Sequence, residues 1–367
     1  MMLVITGGHH TCAFAVIEEL KKIDKELIIY WIGHKYSMKG DLNESAEYRE
    51  VIAKGYEFFD IKAGKFYGNY SIEAFIRIFL GFVRAFFLLK KLKPHGIIAF
   101  GGYITPPVVW ASFLLGIPSV THEQTTVAGF ANRAVWPFVK KIFLTWPASD
   151  SYFPKNKCVV SGLPIRKAIF DSQGTTTLFE NNLPLVYITG GKQGSHILNA
   201  NVEPILVNLL KNFNVVHQCG ISSLYNDFEN LKKVKETLPD DIRSRYLVFD
   251  YIDEKQMGEF LKKAELVVSR SGANIIYEML LFKKKAVLVP LPGRSHNEQE
   301  ENARFFCDYS TCRIILQKEL TPQLLEASIW EVFSSVPLGV NGQIELRRDA
   351  AYVIAKEAIK IFKKFTS

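Results

Sequence analysis

Short apolar runs alternate with stretches of helical periodicity along the whole chain. In the first half the runs are MLVIT, ELIIYWIG, GIIAFGG, IPSVTHEQ and KIFLTWP, and helix-like stretches lie between them. After KCVVSGLPIRKAIF the alternation begins again with PLVYITGG, NFNVVHQCG, RYLVFDYI, AELVVSRSG and KAVLVPLPG. Strands that alternate with helices favour parallel sheets covered by helices. We therefore predict an α/β chain of two Rossmann-like, doubly wound domains that face each other across a cleft.

The predicted boundary between the domains lies near Gly162-Leu163-Pro164, where Gly and Pro interrupt the periodicity. A chain of 367 residues is long enough to give each of two domains its own core. We predict an N-terminal domain over residues 1–162 and a C-terminal domain over residues 163–348. The last helix-like stretch, residues 349–367, has an apolar face that needs cover, and we expect it to cross back to the first domain.

Glycine-rich turns follow three of the apolar runs. They are TGGHH (Thr6 to His10), FGGYITPP (Phe100 to Pro107) and TGGKQGSH (Thr189 to His196). Ligands of doubly wound folds bind outside the carboxyl ends of the strands, and a helix N-terminus attracts phosphate. The third turn is the best candidate for a diphosphate site, because Gly190, Gly191 and Gly194 free its backbone and Lys192 adds positive charge. It has neither the spacing of a P-loop nor that of a dinucleotide fingerprint.

The charge balance indicates an anionic partner. Lys and Arg outnumber Asp and Glu by 45 to 37, which gives a formal net charge of +8. Nucleotide phosphate, lipid headgroups and nucleic acid all fit that charge. The 5 cysteines form no CxxC pair, so we expect reduced thiols that serve in packing. The N-terminus shows no export signal.

One segment, SIEAFIRIFLGFVRAFFLLKKLKPHG, is apolar almost all round its predicted helix. Arg77 and Arg84 break it into pieces shorter than the ~20 apolar residues of a membrane span, so we predict no transmembrane helix. Two interpretations remain open. The helix packs between the sheet and its neighbours, or its aromatic residues rest on an anionic bilayer beside the basic end of the helix. The second interpretation assigns membrane contact to Phe75, Phe79, Phe82 and Phe86.

Polar residues follow the late strands in VVSRSGANIIYEMLLFKKKAVLVPLPGRSHNEQEENARFF. Glu278 lies about two turns into a predicted helix, where a carboxylate on an apolar surface costs free energy unless it is paired. A ribose diol is a suitable partner, because one carboxylate accepts two hydroxyl hydrogen bonds; a solvent-facing charge is the alternative. Glu298, Gln299 and Asn302 suit sugar hydroxyls, or else begin a solvated helix.

Seven motifs occur in a fixed order along the chain. They are TGGH, FGGYITPPVVWASFLLGIPSVTHEQTTVAG, GLPIR, TGGKQGSHILN, VFDYID, SRSGANIIYE and NEQEENA. Combined in this order, they resemble the MurG family, the bacterial UDP-N-acetylglucosamine (UDP-GlcNAc) transferases that convert lipid I to lipid II in peptidoglycan synthesis. The resemblance covers nearly the whole chain.

The resemblance implies a GT-B fold of two Rossmann-like domains with the catalytic cleft between them. It implies inverting transfer of GlcNAc to the C4 hydroxyl of the MurNAc in undecaprenyl-diphosphate-linked MurNAc-pentapeptide, with no bound metal, covalent intermediate or other cofactor. The implied partners are a UDP-sugar donor, a polyprenyl-diphosphate-linked acceptor and an anionic membrane surface, and nucleic acid is not among them. The implied location is the cytoplasmic face of the plasma membrane, as a peripheral protein.

The resemblance also assigns site residues. The second domain holds the donor: the loop from Gly190 to Ser195 matches the diphosphate loop, Tyr251-Ile252-Asp253 the uracil segment and Glu278 the ribose carboxylate. The donor residues implied are Arg166, Gly190, Gly191, Lys192, Gln193, Gly194, Ser195, Ile252, Arg270, Ser271, Gly272, Glu278, Glu298 and Gln299. The acceptor residues implied are Thr6, Gly7, Gly8, Gly101, Gly102, Tyr103, His122 and Thr125.

Inverting transfer needs a base for the acceptor hydroxyl and positive charge or N–H dipoles for the leaving UDP. His9 matches the histidine of the family's first glycine-rich loop, and its unperturbed pKa of ~6.5 suits a base. Glu123 could orient His9 or be the base instead. Thr125 stands where the family usually has Asn, and Lys192 where it usually has Ser. Two other functions stay open: a related GT-B transferase with another lipid acceptor, and a non-catalytic scaffold that binds a UDP-sugar or lipid.

Overall fold

The computed structural model describes residues 1–36, 44–64, 72–171, 178–222, 224–293, 297–336 and 344–366. The chain divides into two compact units. Unit 1 comprises Met1–Arg166 and Arg347–Ser367, and unit 2 comprises Lys167–Leu346. The division falls four residues beyond the boundary predicted from Gly162-Leu163-Pro164, because residues 163–166 pack with unit 1.

Unit 1 is built on a parallel sheet of seven strands in the order β3-β2-β1-β4-β5-β6-β7. The strands are β1 Met2–Thr6, β2 Ile28–Gly33, β3 Glu57–Asp60, β4 Gly96–Ala99, β5 Ser119–Glu123, β6 Lys141–Leu144 and β7 Cys158–Val160. The helices are α1 His10–Ile23, α2 Ala46–Ala53, α3 Ile72–Leu92, α4 Thr105–Leu114, α5 Phe130–Val135 and, at the end of the chain, α14 Ala350–Thr366. Short 3-10 turns cover Pro147–Tyr152 and Lys155–Lys157.

Unit 2 repeats this plan with a parallel sheet of six strands in the order β10-β9-β8-β11-β12-β13. The strands are β8 Leu185–Thr189, β9 Asn214–Gln218, β10 Tyr246–Phe249, β11 Ala264–Ser269, β12 Lys285–Leu288 and β13 Cys312–Ile314. The helices are α6 His196–Val202, α7 Leu206–Asn212, α8 Asp227–Thr237, α9 Asp240–Arg243, α10 Glu254–Lys263, α11 Ala273–Leu281, α12 Glu298–Tyr309 and α13 Pro322–Ser334. Short 3-10 turns cover Lys167–Ile169, Glu203–Ile205 and Gln317–Glu319.

The strand order reverses between β1 and β4 in unit 1 and between β8 and β11 in unit 2. In doubly wound sheets this switch point is where ligands bind, outside the carboxyl ends of the strands. The turns after these four strands are TGGHH, FGGY, TGGKQGSH and SRSG. The sheet topology therefore brings the sequence-predicted turns to the switch point of each unit.

Helix α14 belongs to unit 1 because its apolar stripe packs there, against α1. Ile354, Ala358 and Phe362 recur at helical spacing and are fully buried. A Cβ placed on Gly96, at the start of β4, would lie 2.4 Å from the Phe362 ring, so glycine is required for this approach. The end of the chain therefore closes the core of the first unit.

The structure joins Cys307 in α12 and Cys312 in β13 by a disulfide. The expectation that all cysteines are reduced is wrong for this pair, because the short turn between α12 and β13 brings the two side chains together. Cys12, Cys158 and Cys219 are thiols outside this disulfide; Cys12 and Cys219 are buried, in agreement with a packing role, and Cys158 is partly buried.

Candidate active site

The switch point of unit 1 is formed by two glycine turns that contact each other through their backbones. The amide of Gly8 donates to the carbonyl of Gly101 at 3.1 Å. Gly7 has a φ of +122°, and a Cβ on it would lie 2.6 Å from the Gly101 carbonyl oxygen. A Cβ on Gly102 would likewise lie 2.8 Å from the Gly8 nitrogen, so glycine at positions 7 and 102 is what lets the two strand ends meet.

His9 lies at the N-terminal boundary of α1, over this glycine contact. Its ring atoms Cδ2 and Nε2 come within 3.5 and 3.6 Å of the position that a Cβ on Gly101 would occupy. Burial, with a smaller contribution from the charge of His10, lowers the pKa of His9 to about 4. This value lies well below the unperturbed pKa of ~6.5. At neutral pH the imidazole is uncharged, which is the form that accepts a proton.

His10 belongs to a polar cluster with Glu50 of α2 and Arg166. The Nε2 of His10 lies 3.3 Å from the Glu50 carboxylate, and the guanidinium of Arg166 contacts the other oxygen. Burial would raise the pKa of Glu50, but the His10 hydrogen bond and the Arg166 charge outweigh it and lower that pKa to about 2. Arg166 also lies over the Phe14 ring at 5.3 Å. Arg166, predicted to bind the donor, is the last residue of the first segment of unit 1.

Glu123, at the end of β5, holds the loop that leads into α5. It accepts hydrogen bonds from the Thr125 amide and hydroxyl at 3.1 and 2.9 Å, from the Gly129 amide at 2.8 Å and from Asn132 Nδ2 at 3.0 Å. The Thr125 hydroxyl also lies 2.7 Å from the carbonyl of Val127. These contacts give Glu123 and Thr125 a common structural role in shaping the loop.

His122, predicted to contact the acceptor, is completely buried. Its Nε2 faces the hydroxyl of Thr145 at 3.1 Å and the carbonyl of Gly162 at 3.4 Å. Its Nδ1 makes no hydrogen bond within the part of the chain that the structure describes. β5 directs this ring, predicted to contact the acceptor, into the interior of unit 1. Thr6 is likewise fully buried, whereas Tyr103 is only partly buried.

Asn132 is a site residue that the sequence analysis missed. Its Nδ2 donates to the His122 carbonyl and to Glu123, both at 3.0 Å, and its Oδ1 accepts from Thr121 at 2.6 Å. A Cβ on Gly101 would lie 3.6 Å from the same Nδ2. The signal was an amide in the helix that follows the HEQ run, where a buried polar side chain needs partners.

In unit 2, the loop from Gly190 to Ser195 crosses directly over the segment that follows β9. A Cβ on Gly194, which has a φ of +82°, would lie 2.0 Å from the Cys219 carbonyl oxygen. The Gly194 amide donates to Gly191 at 3.0 Å, and the Gly191 amide donates to the Thr189 hydroxyl at 2.9 Å. Gly191, Lys192 and Gln193 are exposed at the outside of this turn. The loop thus presents its backbone at the switch point, with the Lys192 ammonium 5.6 Å from the centre of the Tyr251 ring.

The turn after β11 is held by Gln299 of α12. The Gln299 side chain accepts from the Ser271 amide at 3.3 Å and from the Leu291 amide at 2.9 Å, and the Ser271 hydroxyl donates to the Gln299 carbonyl at 2.7 Å. Arg270 donates to the Ser195 hydroxyl at 2.7 Å and to Gln317 at 2.8 Å. The two switch-point turns of unit 2 are therefore joined by a guanidinium, and Gln299 is a structural ligand of one of them.

Glu278, on the α11 helix that follows this turn, is the most perturbed carboxyl among the described residues of the unit. Its side chain is 4% exposed. Burial, and then the charge of Glu254, raise its pKa to about 8, and no hydrogen bond from the described residues opposes that shift. Burial, together with the charge of Glu278, raises the pKa of Tyr187 in β8. A buried carboxyl with a strongly raised pKa is a candidate functional residue.

The remaining predicted donor residues differ in exposure. Ile252 is buried after β10 and precedes Asp253, the N-cap of α10, whose side chain accepts from the Gln256 amide at 2.8 Å. Glu298 is the first residue of α12 and is exposed, and Gly272 precedes α11 with open space around its Cα. Within the described ranges, no group of three or more His, Cys, Asp or Glu side chains is arranged to hold a metal ion.

Helix α3 carries an exposed apolar stripe. Phe79 and Phe87 are each 64% exposed, and Ile76 and Leu80 on the same face are also exposed. Arg84 is exposed on this helix, as are the lysines at its end. Phe82 and Phe86, predicted to contact a membrane, are instead half-buried and pack against the core of unit 1. The Phe75 side chain lies outside the described residues. No helix in the described part of the chain is long and apolar enough to cross a bilayer.

Comparison with known proteins places these observations in a family. Residues 1–144 match the glycosyltransferase family 28 N-terminal domain, and residues 185–337 match the glycosyltransferase family 28 C-terminal domain. A protein of Clostridium botulinum strain 657, named UDP-N-acetylglucosamine--N-acetylmuramyl-(pentapeptide) pyrophosphoryl-undecaprenol N-acetylglucosamine transferase, is 31% identical over 369 residues. The match covers 98% of this chain and 97% of that protein. The chain belongs to this transferase family.

Other relatives of this family agree over the full length. A protein of the same name from Clostridium kluyveri is 30% identical, with 99% of both chains covered. The crystal structure of Acinetobacter baumannii MurG superposes with a TM-score of 0.72 at 24% identity, covering 98% of this chain and 99% of that one. The predicted resemblance and the predicted fold class, two Rossmann-like domains of GT-B type, are confirmed.

Proposed function

We propose that this protein transfers GlcNAc from UDP-GlcNAc to the C4 hydroxyl of the MurNAc in undecaprenyl-diphosphate-linked MurNAc-pentapeptide, with inversion, as a step of peptidoglycan synthesis. Family membership supports the reaction. The observation that carries the donor assignment is Glu278 at the switch point of unit 2, a buried carboxyl whose raised pKa is opposed by no hydrogen bond from the described residues. A ribose diol supplies the two donors that such a carboxyl lacks.

In the proposed donor complex, the uracil is read by backbone groups around Ile252, and the ribose hydroxyls donate to Glu278. The diphosphate lies on the exposed turn of Gly191 and Lys192, where the backbone and the Lys192 ammonium stabilise the negative charge of the departing UDP. Arg270 supports this turn through its hydrogen bond to Ser195. No resident cofactor takes part in the proposed reaction.

In the proposed acceptor complex, His9 takes the proton from the attacking hydroxyl. Its neutral state at physiological pH supports this assignment, because an imidazole that is already protonated cannot act as a base. Glu123 is the less suitable base, since its carboxylate already accepts four hydrogen bonds from its own loop. The glycines 7, 8, 101 and 102 allow the acceptor to approach the backbone, and Tyr103 borders them.

The activity is tested with purified protein, UDP-GlcNAc and a lipid I analogue, with the disaccharide product detected by mass spectrometry. We expect product from the wild type and a loss of at least ~100-fold in kcat for His9→Ala, the usual size of a general-base contribution. His10→Ala is the matched control and should keep most of the activity. Binding of UDP without any product would support the non-catalytic scaffold instead, and product from another lipid acceptor only would support the related transferase.

We also propose that the exposed stripe of α3 rests on the cytoplasmic face of the plasma membrane, where the acceptor lipid is anchored. Burial of an aromatic side chain contributes ~1.5–3 kcal/mol, and each Lys or Arg near an anionic surface about 1 kcal/mol. The exposed Phe79 and Phe87, with Arg84 and the two exposed lysines at positions 90 and 91, fit that combination.

Flotation with vesicles of anionic phospholipid tests the membrane contact. The double variant Phe79→Ser/Phe87→Ser should float far less than the wild type, while Leu224→Ser, which removes a side chain 76% exposed in unit 2, should float normally. Equal flotation of the double variant and the wild type would show that this stripe does not bind lipid.

A further inference from the structure

The donor loop of unit 2 depends on one close backbone crossing. A Cβ on Gly220, which has a φ of +98°, would lie 2.1 Å from the Cα of Gly194, and the reverse placement meets Cys219 at 2.0 Å. The loop is therefore seated directly on the Cys219-Gly220 peptide. The position of that peptide therefore limits the position of the loop.

A series of hydrogen-bonded side chains holds the Cys219-Gly220 peptide in place. Asn199 of α6 donates from Nδ2 to the Cys219 carbonyl at 2.9 Å and to the Asp227 carboxylate at 2.8 Å. Its Oδ1 lies 3.0 Å from Nε2 of His217, and Nδ1 of His217 lies 3.0 Å from the hydroxyl of Tyr246. All of Asn199's polar atoms are thus engaged.

The hydrogen bonds of this series run in one direction, from the Tyr246 hydroxyl to the Asp227 carboxylate. Burial lowers the pKa of His217 to about 4, so the ring is neutral and carries one proton. The Asn199 oxygen can only accept, so His217 donates from Nε2 and accepts at Nδ1 from the Tyr246 hydroxyl. The donors therefore all point toward the Asp227 carboxylate, which is the terminal acceptor of the series.

Asp227 also receives a hydrogen bond from the other side of the loop. Nδ1 of His196, the residue after Ser195, lies 2.7 Å from Oδ1 of Asp227. The His196 ring stacks on Tyr225 with a centroid separation of 3.8 Å and an interplanar angle of 8°. One carboxylate, 13% exposed, therefore links the residue that ends the loop to the asparagine that holds the peptide beneath it.

We propose that Asp227 is a positioning residue of the donor site, whose carboxylate fixes the diphosphate-binding turn between Gly190 and Ser195 through His196 and Asn199. This inference rests on the proposed function, in which that turn binds the diphosphate of the donor. Asp227 itself does not touch the substrate. Its removal loosens the amides of the turn, so it weakens binding of the diphosphate and leaves binding of the nucleoside unchanged.

The test compares Asp227→Asn with Glu229→Gln, a matched loss of charge in the first turn of the same helix, where Glu229 is exposed. The amide of the variant presents its own N–H groups to Asn199 or His196. We expect the Kd for UDP and the KM for UDP-GlcNAc to rise about tenfold in Asp227→Asn, the size of one hydrogen bond to a charged group, with kcat within about twofold. The Kd for uridine should not change, and Glu229→Gln should behave as the wild type.

His196→Ala is a second variant that removes a surface side chain and does not disturb the core. It should give the same selective loss of UDP affinity, and the double variant should lose no more than the larger single effect, because both changes break one linkage. Unchanged UDP binding in either folded single variant, or equal losses for UDP and uridine, would overturn the proposal. A wild type that fails to bind UDP at all would refute the proposed function instead.

Discussion

Binding of the donor should release a proton from Glu278. Burial and the charge of Glu254 raise the pKa of this carboxyl to about 8. At pH 7 about nine-tenths of the unliganded molecules therefore hold the proton. Two ribose hydroxyls that donate to the carboxylate favour its charged form, so they lower the pKa in the complex. The proton present before binding is then lost.

The expected number of protons released, and the pH dependence of the affinity, follow from these pKa values. If the pKa in the complex lies below ~6, binding at pH 7 releases about 0.8–0.9 proton per site, and the affinity rises about five- to sevenfold per pH unit between pH 6 and about 8. The affinity for the ligand increases with pH, because the ligand binds the deprotonated form of Glu278. Above pH 8 the carboxyl is already ionised and the dependence should level off.

Isothermal titration calorimetry in two buffers of different ionisation enthalpy measures the protons released. The ligand should be uridine, which carries the ribose without the titratable phosphate. Glu278→Gln is isosteric and should bind more weakly with no proton release. Proton uptake by the wild type, or the same proton count in the wild type and the variant, would refute the reasoning.

Three further predictions concern other parts of the molecule. At saturating donor, kcat/KM for the acceptor should fall only below about pH 4–5, because His9 has a pKa of about 4, and His10→Gln should move that limit upward by removing a repelling charge. A limit near pH 6.5 in both proteins would contradict this. Lys192→Ser should weaken UDP binding up to about fivefold at low salt, with no effect on uridine; a loss that persists at high salt would contradict a role through charge. Phe362→Ala should lower the free energy of unfolding by ~3–5 kcal/mol in urea titrations, whereas the half-exposed Phe365→Ala should cost less than ~1 kcal/mol; equal losses would show that α14 does not seal the core.

The architecture of the fold was predictable because its signals are local. Apolar runs, glycine turns and helical periodicity lie within a few residues of one another, so the sequence predicts the alternation of strands and helices and the turns at both switch points. The short edge strands β3, β7 and β13 escaped prediction, since they have only three or four residues each and a weak apolar pattern. The family resemblance added the prediction of which domain binds the donor and which binds the acceptor.

The electrostatics of the site could not be predicted, because they depend on contacts between distant segments. Arg166 meets Glu50 across 116 positions of sequence, a pairing that no local pattern indicates. The low pKa of His9 reflects its burial beside Gly101. The carboxylate of Glu123 accepts a hydrogen bond from Asn132, which lies nine residues further along the sequence. A sequence shows that such groups exist, but only the fold determines which of them meet.

Two glycines in the site are explained neither by packing nor by backbone conformation. Gly8 has ordinary space around it, since a Cβ added there would lie 3.8 Å from its nearest neighbour, the Cα of Gly102. Gly272 has nothing within 4 Å of such a Cβ and an unstrained φ of −65°. Alanine would fit both places in the free protein. Each precedes the helix at a switch point, so the remaining reason for glycine is close approach of a ligand to the backbone.

The two positions should therefore separate the two substrates. Gly8→Ala and Gly272→Ala should both fold with stability equal to the wild type or up to ~1 kcal/mol higher, because alanine restricts the unfolded chain. We expect Gly8→Ala to raise the KM for the acceptor alone, and Gly272→Ala to raise the KM for UDP-GlcNAc alone, each measured with the other substrate saturating. If either variant raised both KM values equally, or neither, the division of the site between the two units would be wrong, because a methyl group added to open space in one unit acts only on the ligand that fills that space.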